Sequence, residues 1–212
     1  MKQWIGNPDM WADMFPGELV PDIIELILEA WSQVKLSKSD RLEVPLTRKL
    51  YCHLISLKRH ALLPFSVWLE SSEIDVVSMA EKGRIDIRFS HGYREDVYFA
   101  IECKRLNVCR GRRRVFLADE YVNEGMMRFV SGKYAAGLDK GGMLGYVMDG
   151  RLDDAISSVT MAIESRKQML AMAANSTLKK SLTCPQNRRV HETNHKSSSC
   201  QILLHHMFVA VA

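Results

Sequence analysis

Apolar and charged residues alternate through Arg84-Ile85-Asp86-Ile87-Arg88-Phe89, and the odd positions are again apolar in Val97-Tyr98-Phe99-Ala100-Ile101-Glu102-Cys103-Lys104. A period of two is typical of β-strands, because successive side chains point to opposite faces of a sheet. The segment from His91 to Asp96 between them is polar and contains a glycine, as expected of a turn. The sequence therefore predicts a β-hairpin.

A turn centred on Arg94 sets the register of this hairpin. It pairs residues that lie at equal distance from the turn, namely Phe89 with Phe99, Ile87 with Ile101, and Asp86 with Glu102. One face is then apolar, whereas the other brings Asp86, Glu102 and Lys104 together. A slip of one residue would destroy both properties, so the pattern specifies this register strongly.

The charged face of the hairpin has the composition of a magnesium site. Asp86 and Glu102 offer carboxylate oxygens, and the backbone carbonyl of Cys103 offers another; Mg²⁺ takes a few such ligands and keeps positions for water and phosphate. Lys104 shares the face of Glu102 and could orient or help deprotonate an attacking water and offset charge on a phosphate. These residues predict metal-assisted hydrolysis of a phosphodiester. The alternative is a solvated strand face with ordinary cross-strand ion pairs.

Helical and strand-like patterns alternate along the rest of the chain. The spacing of apolar residues predicts helices at 21–34, 42–57, 117–129 and 153–174, and strands at 65–69, 143–148 and 201–211. A turn is predicted at Gly141-Gly142. This order indicates one α/β domain over 1–212, with a helical lead-in at 1–40, a catalytic core at 41–174, a polar loop at 175–199 and a terminal strand at 200–212.

Composition narrows the class of protein. The 212-residue chain is 47% apolar and 25% charged, which suits a single globular domain, and its formal charge of +4 does not repel acidic partners. Its apolar runs are short and its first residues lack a signal peptide, so we expect a cytoplasmic protein without a membrane partner. The five cysteines are expected to be free thiols or metal ligands.

The hairpin resembles the PD-(D/E)xK nuclease superfamily, in which an aspartate precedes a strand that carries Glu-x-Lys. The matching residues are Asp86 and then Glu102-Cys103-Lys104, with Ile85 where the name of the motif has proline. The resemblance covers roughly residues 43–147. It implies a restriction-endonuclease-like core, in which helices flank a central mixed β-sheet. It also implies dependence on Mg²⁺, with Mn²⁺ as a substitute, and cleavage of DNA, in restriction or phage defence for example.

The same resemblance implies a further acidic residue on the first helix of the core. Glu43 matches it best and would add to the metal shell or hold a water, while Glu70 and Glu73 are rivals near the following strand. A glutamate at a helix N-terminus is also favourable simply through its charge, so a structural role for Glu43 is the alternative.

A basic segment follows the candidate site directly. Beyond Lys104 it contains five arginines, Arg105, Arg110, Arg112, Arg113 and Arg114. Such clustering suits contact with a phosphate backbone and would steer a polyanion toward the metal, although it does not distinguish DNA from RNA. In the helix that follows, Glu120, Tyr121 and Glu124 are candidates for pointing back at the site.

Two other hypotheses belong to different functional classes. One is a catalytically inactive nucleic-acid-binding or scaffold domain of a larger complex, built on the same fold; a homodimer or a partner protein is conceivable for either. The other is a small zinc-stabilised interaction protein, whose ligands would be Cys184, His191, His195 and Cys200. For His205-His206 on the last strand, a buried histidine with satisfied hydrogen bonds is the expected reading.

Overall fold

The structure, a computed structural model, describes residues 15–37, 40–75, 78–92, 96–111, 113–133, 138–196 and 201–211. It is an α/β fold in which helices cover a central mixed sheet, as predicted. None of the helices in these ranges has the length and apolar character needed to cross a membrane.

The central sheet has seven strands in the order β1-β2-β3-β6-β9-β8-β7. The three strands β3, β6 and β9 are parallel to one another, and the outer strands pair antiparallel. Their bounds are β1 Ser66–Ile74, β2 Glu81–Ser90, β3 Tyr98–Leu106, β6 Lys140–Val147, β7 Lys179–Lys180, β8 Val190–Lys196 and β9 Gln201–Ala210. A separate short hairpin consists of β4 Val108–Arg110 and β5 Arg113–Val115.

Helices pack on both faces of this sheet. On one face lie α1, Leu19–Gln33, and α2, Glu43–Ala61. On the other lie α4, Leu152–Glu164, and α3, which consists of Ala118–Glu120, a π-helical segment Tyr121–Met126, and Met127–Val130. Both faces of β3 are therefore buried, with Phe99 and Ile101 in the first hydrophobic core and Tyr98 and Ala100 in the second.

The predicted register of the hairpin is confirmed where β2 and β3 pair. Phe89 lies opposite Phe99 and Ile87 opposite Ile101. The ladder ends at the latter pair, so Asp86 and Glu102 are not ladder partners. Instead, the Cys103 backbone N–H donates to Asp86 Oδ2 at 2.7 Å. The predicted turn residue Arg94 lies outside the described residues.

Three sequence predictions differ from the structure. The polar loop at 175–199 is wrong in part, because β7 and β8 occur within it and β8 carries polar side chains that are buried. The helix predicted at 153–174 ends at Glu164, after which hydrogen bonds of irregular spacing form a series of turns. Gly141-Gly142 is not a turn; both glycines lie in β6.

Candidate active site

The candidate site lies where β2 and β3 part. Beyond Ile101, β3 is paired with β6 on its other side, while Asp86 of β2 satisfies the N–H group of Cys103. The Asp86 carboxylate thus accepts the hydrogen bond that a backbone carbonyl of the neighbouring strand would otherwise accept. Open sheets commonly bind ligands near the carboxyl ends of their parallel strands, and Glu102 and Lys104 lie in that half of β3.

Glu102 is the centre of the site. Its side chain is 0% exposed, yet both carboxylate oxygens have cationic partners. Lys104 Nζ donates to Oε1 at 2.6 Å, and Arg128 Nη1 lies 2.9 Å from Oε1 and donates to Oε2 at 3.0 Å. A buried carboxylate needs such partners, because an unpaired charge in the interior is costly.

Glu43 joins the cluster from the first residue of α2. Its Oε1 lies 3.4 Å from Lys104 Nζ, and its Oε2 accepts a hydrogen bond from the backbone of Arg105 at 3.2 Å. Of the rival acids, Glu70 pairs with Arg48 at 3.2 Å on an exposed surface, and Glu73 lies opposite Gly83 in the β1–β2 ladder. Glu43 is therefore the helix acid that contacts the Glu-x-Lys strand.

Burial and crowding of like charges set the protonation of the site. Burial raises the pKa of Asp86 to about 6, against the opposing hydrogen bond from Cys103. Burial, and then the charge of Asp86, raise the pKa of Glu102 to about 7. Burial lowers the pKa of Lys104, but the carboxylates of Glu102 and Glu43 outweigh it and raise that pKa above its ordinary value. Lys104 is accordingly a cation and not a base in this arrangement.

The oxygen donors of the site fit a magnesium ion held by few protein ligands. Asp86, Glu102 and the carbonyl of Cys103 are hard oxygen ligands. Burial raises the pKa of each carboxyl group, and a nearby positive charge would favour the ionised form. Lys104 and Arg128 supply that charge here, and Lys104 also donates to the carbonyl of Cys103 at 3.1 Å. Across the described ranges, no three His, Cys, Asp or Glu side chains lie close enough to share one ion.

Arg128 is a member of the site that the sequence did not predict. Of the helix residues proposed to face the site, Tyr121 is buried against His206, while Glu120 and Glu124 are exposed. Arg128 reaches Glu102 because α3 passes close to β3 at Gly125, where an added Cβ would lie 2.4 Å from Met143 Cε and 3.4 Å from Lys104 Cγ. The lone arginine in the apolar run from Met126 to Val130 is the only local sign of this contact.

The basic segment contributes less to an open surface than its sequence indicates. The Arg105 guanidinium donates to the carbonyl of Arg41 at 2.8 Å, and that of Arg114 lies 3.0 Å from Asp149 and donates to Asp154 at 2.8 Å. Arg113 is exposed on β5. Arg112 and the side chain of Arg110 lie outside the described part of the chain.

The proposed zinc ligands do not converge within the described residues. Cys184 belongs to the core under α1 and α2, whereas the ring of His191 packs against Phe208 of the opposite core. His195 uses both ring nitrogens in hydrogen bonds, with Thr193 and with the carbonyl of Leu170, each at 2.7 Å. The fourth candidate, Cys200, lies outside the described residues.

A chain of buried hydrogen bonds links β8 and β9 to α3. The Thr193 hydroxyl contacts His195 Nε2 at 2.7 Å and His206 Nε2 at 2.8 Å, and His206 Nδ1 contacts the Tyr121 hydroxyl at 3.0 Å. His206 is thus the buried histidine with satisfied hydrogen bonds that was expected. His205 is also buried, with Nδ1 3.4 Å from Glu192 Oε1. This chain anchors the π-helical segment of α3 to the sheet.

Comparison of the chain with protein-family models, with curated proteins and with solved structures finds no match in any of the three. The side chains that meet at Glu102 are therefore the basis for assigning a function.

Proposed function

We propose that the protein is a Mg²⁺-dependent nuclease that hydrolyses phosphodiester bonds of DNA. The observation that carries the proposal is the grouping of four residues from two strands and a helix: Lys104 is ion-paired with the buried Glu102 and with Glu43, and Asp86 accepts a hydrogen bond from the backbone of Cys103 between Glu102 and Lys104. Two carboxylates can hold a metal ion, and a lysine and a helix acid beside them can orient a water and offset charge on a phosphate. The resemblance to the PD-(D/E)xK superfamily rests on the same residues.

Each residue has a distinct role in this proposal. Asp86, Glu102 and the carbonyl of Cys103 would hold the ion, and Glu43 would hold a water beside it. A divalent ion in that position acts as a Lewis acid toward the phosphodiester and its attacking water. Lys104, held as a cation by Glu102 and Glu43, orients the water and offsets charge on the phosphate.

The proposed substrate and biological role are based on the resemblance to the nuclease superfamily and on the exposed cations of the protein. DNA is the substrate that the resemblance implies, and Arg113, exposed on β5, suits phosphate contact. Cleavage of both strands of a duplex often takes two active sites, so we propose a homodimer or a partner protein. A cytoplasmic location and a role in restriction or phage defence belong to the same proposal.

One observation favours a second candidate, the inactive nucleic-acid-binding or scaffold domain. Both oxygens of Glu102 already contact protein cations, so Glu102 has counter-charges without a metal. In a scaffold this arrangement would be permanent. In a nuclease, Arg128 or Lys104 has to give way.

A cleavage assay separates the two candidates. Supercoiled plasmid and single-stranded DNA are incubated with Mg²⁺, Mn²⁺ or EDTA, and wild type is compared with Asp86→Asn. The nuclease proposal expects metal-dependent cutting that Asp86→Asn lowers at least 100-fold, the usual order for loss of an electrostatic catalytic group. The matched control is Asp153→Asn, which changes an exposed carboxylate at the start of α4 and should cut like wild type. Binding of DNA without cutting under any metal would favour the scaffold.

A further inference from the structure

Arg128 is ion-paired with the carboxylate of Glu102, which a metal ion would need as a ligand. Its Nη1 is within 3.0 Å of both oxygens of Glu102, and Lys104 contacts one of the same oxygens. Glu43 and Glu102 contact these cations, and Asp86 lies close enough to interact with both electrostatically, so three carboxyl groups share two cations. A divalent ion added beside both cations would leave an excess of positive charge in a buried site, where repulsion is strong. The ion and Arg128 are therefore competitors for Glu102.

A second place is open to Arg128 on its other side. Its side chain is 29% exposed, whereas that of Glu102 is fully buried. It forms part of the wall of a surface cleft of about 310 Å³. The cleft is lined by Asn123, Glu124, Met127, Arg128, Ser131 and Lys133. The amide, the hydroxyl and two cations can contact phosphate oxygens, and Glu124 is the one carboxylate among these residues.

We propose that Arg128 is a resident counter-ion of Glu102 that a substrate phosphate draws into this cleft, so that nucleic-acid binding and divalent-ion binding strengthen each other. The inference rests on the proposed nuclease function and adds regulation of its site. A phosphate can form with Arg128 the same kind of paired hydrogen bonds that a carboxylate forms, and departure of Arg128 would leave Glu102 to the ion. Because coupling between two ligands is reciprocal, each must raise the affinity of the other by the same factor.

Calorimetric titration with Ca²⁺, with and without a short DNA duplex, tests the coupling in the folded full-length chain. Electrophoresis of the duplex afterwards verifies that it stayed intact. We expect the duplex to raise the Ca²⁺ affinity of wild type by roughly 5- to 150-fold, the usual range of such coupling. Arg128→Ala should bind Ca²⁺ more tightly than wild type without DNA, and the duplex should then change its affinity little.

Two further variants keep the test independent of folding. Arg166 pairs with Asp119 of α3 at 2.8 Å and is 25% exposed, so Arg166→Ala removes a similar ion pair from the same helix and should retain the wild-type coupling. Arg128→Lys keeps the charge and should restore part of the coupling. Thermal melting of each variant verifies that it is folded.

The outcomes separate this inference from the function beneath it. If Ca²⁺ and the duplex both bind, but independently of each other and of Arg128, the counter-ion role is wrong and the nuclease proposal stands. If wild type binds neither Ca²⁺ nor the duplex, both proposals fail. Equal coupling in wild type and Arg128→Ala would also overturn the role of Arg128.

Discussion

At the scale of single residues, the ionised carboxylate of Glu102 lowers the stability of the free protein, although the proposed function needs it. Its carboxylate is fully buried and close to Asp86, and two cations offset only part of that cost. Sites that bind metal or substrate often carry such a penalty in the free protein. Because folding raises the pKa of Glu102, ionisation of this group should lower the stability of the folded protein as pH rises from 4.5 to about 7.

We predict that Glu102→Gln makes the free protein more stable at alkaline pH while it removes cleavage. The pKa of Glu102 rises from 4.5 to about 7 on folding, so wild type loses stability as pH increases through that range. The gain in stability of Glu102→Gln over wild type should grow as pH rises from 4.5 and should level off above about pH 7. The shift corresponds to at most about 3 kcal/mol, less the hydrogen bonds that glutamine makes poorly. Urea denaturation as a function of pH measures it, and a variant that is less stable at pH 8 would contradict it.

The residues of the site differ in how far the sequence reveals them. Asp86, Glu102 and Lys104 could be predicted because the two-residue period and one apolar face specify which side chains share a face. Glu43 required the resemblance to a family as well. Arg128 could not be predicted, since its contact with Glu102 depends on how α3 packs against β3 at Gly125.

At the scale of elements, α3 owes its position to contacts on two sides. Gly125 lets it approach β3 and β6, and Tyr121 joins it to His206 and Thr193 of the two last strands. π-helical segments are rare and often occur at functional sites, and here the segment lies just before Arg128. The strand β8 went unpredicted for a related reason, because its polar residues are buried and hydrogen-bonded instead of exposed.

We predict that acid weakens this anchor through its histidines. Burial lowers the pKa of His206, with further lowering by His195, His191 and His205 and an opposing effect of Glu192. Burial likewise lowers the pKa of His195. A histidine that is kept neutral on folding costs stability as pH falls below its ordinary value of 6.5, by up to about 1.4 kcal/mol per pH unit.

His206→Gln should therefore depend less on pH than its parent below pH 6.5, even though it is less stable at neutral pH. The comparison is made in the Glu102→Gln background, because Glu102 changes stability in the opposite direction over the same range. Chemical denaturation at several pH values gives the slopes. Parallel slopes for the two proteins would show that His206 does not carry the effect.

At the scale of the whole molecule, the basic segment offers fewer arginines to a long polyanion than its sequence indicates. The net charge is only +4, and Arg105 and Arg114 of the basic segment already have internal partners. Arg114 would have to give up ion pairs with two carboxylates, Asp149 and Asp154, to bind one phosphate, so it gains little from the exchange. The number of phosphates neutralised should therefore be smaller than the number of arginines in the segment.

We predict that Arg113→Ala and Arg114→Ala, a matched pair of neighbours, affect DNA binding differently. Loss of the exposed Arg113 should lower the slope of log affinity against log salt concentration by about 0.9, the value for one phosphate contact. Arg114→Ala should leave the slope unchanged and lower stability instead, since Asp149 and Asp154 each lose one of their cationic or polar partners. Fluorescence anisotropy in EDTA over a series of salt concentrations measures both. A reduced slope in Arg114→Ala would mean that its ion pairs open on binding.

The glycines of β6 have a consequence for sequence variation. A Cβ at Gly141 would lie 2.6 Å from Cε1 of Phe129, the residue that follows Arg128 in α3. A methyl group in the middle of the sheet would thus push on the helix that carries the arginine. A larger residue at position 141 should therefore be tolerated only together with a smaller side chain at position 129. We expect these two uncharged positions to co-vary among homologues, because together they keep the helix that carries Arg128 in place.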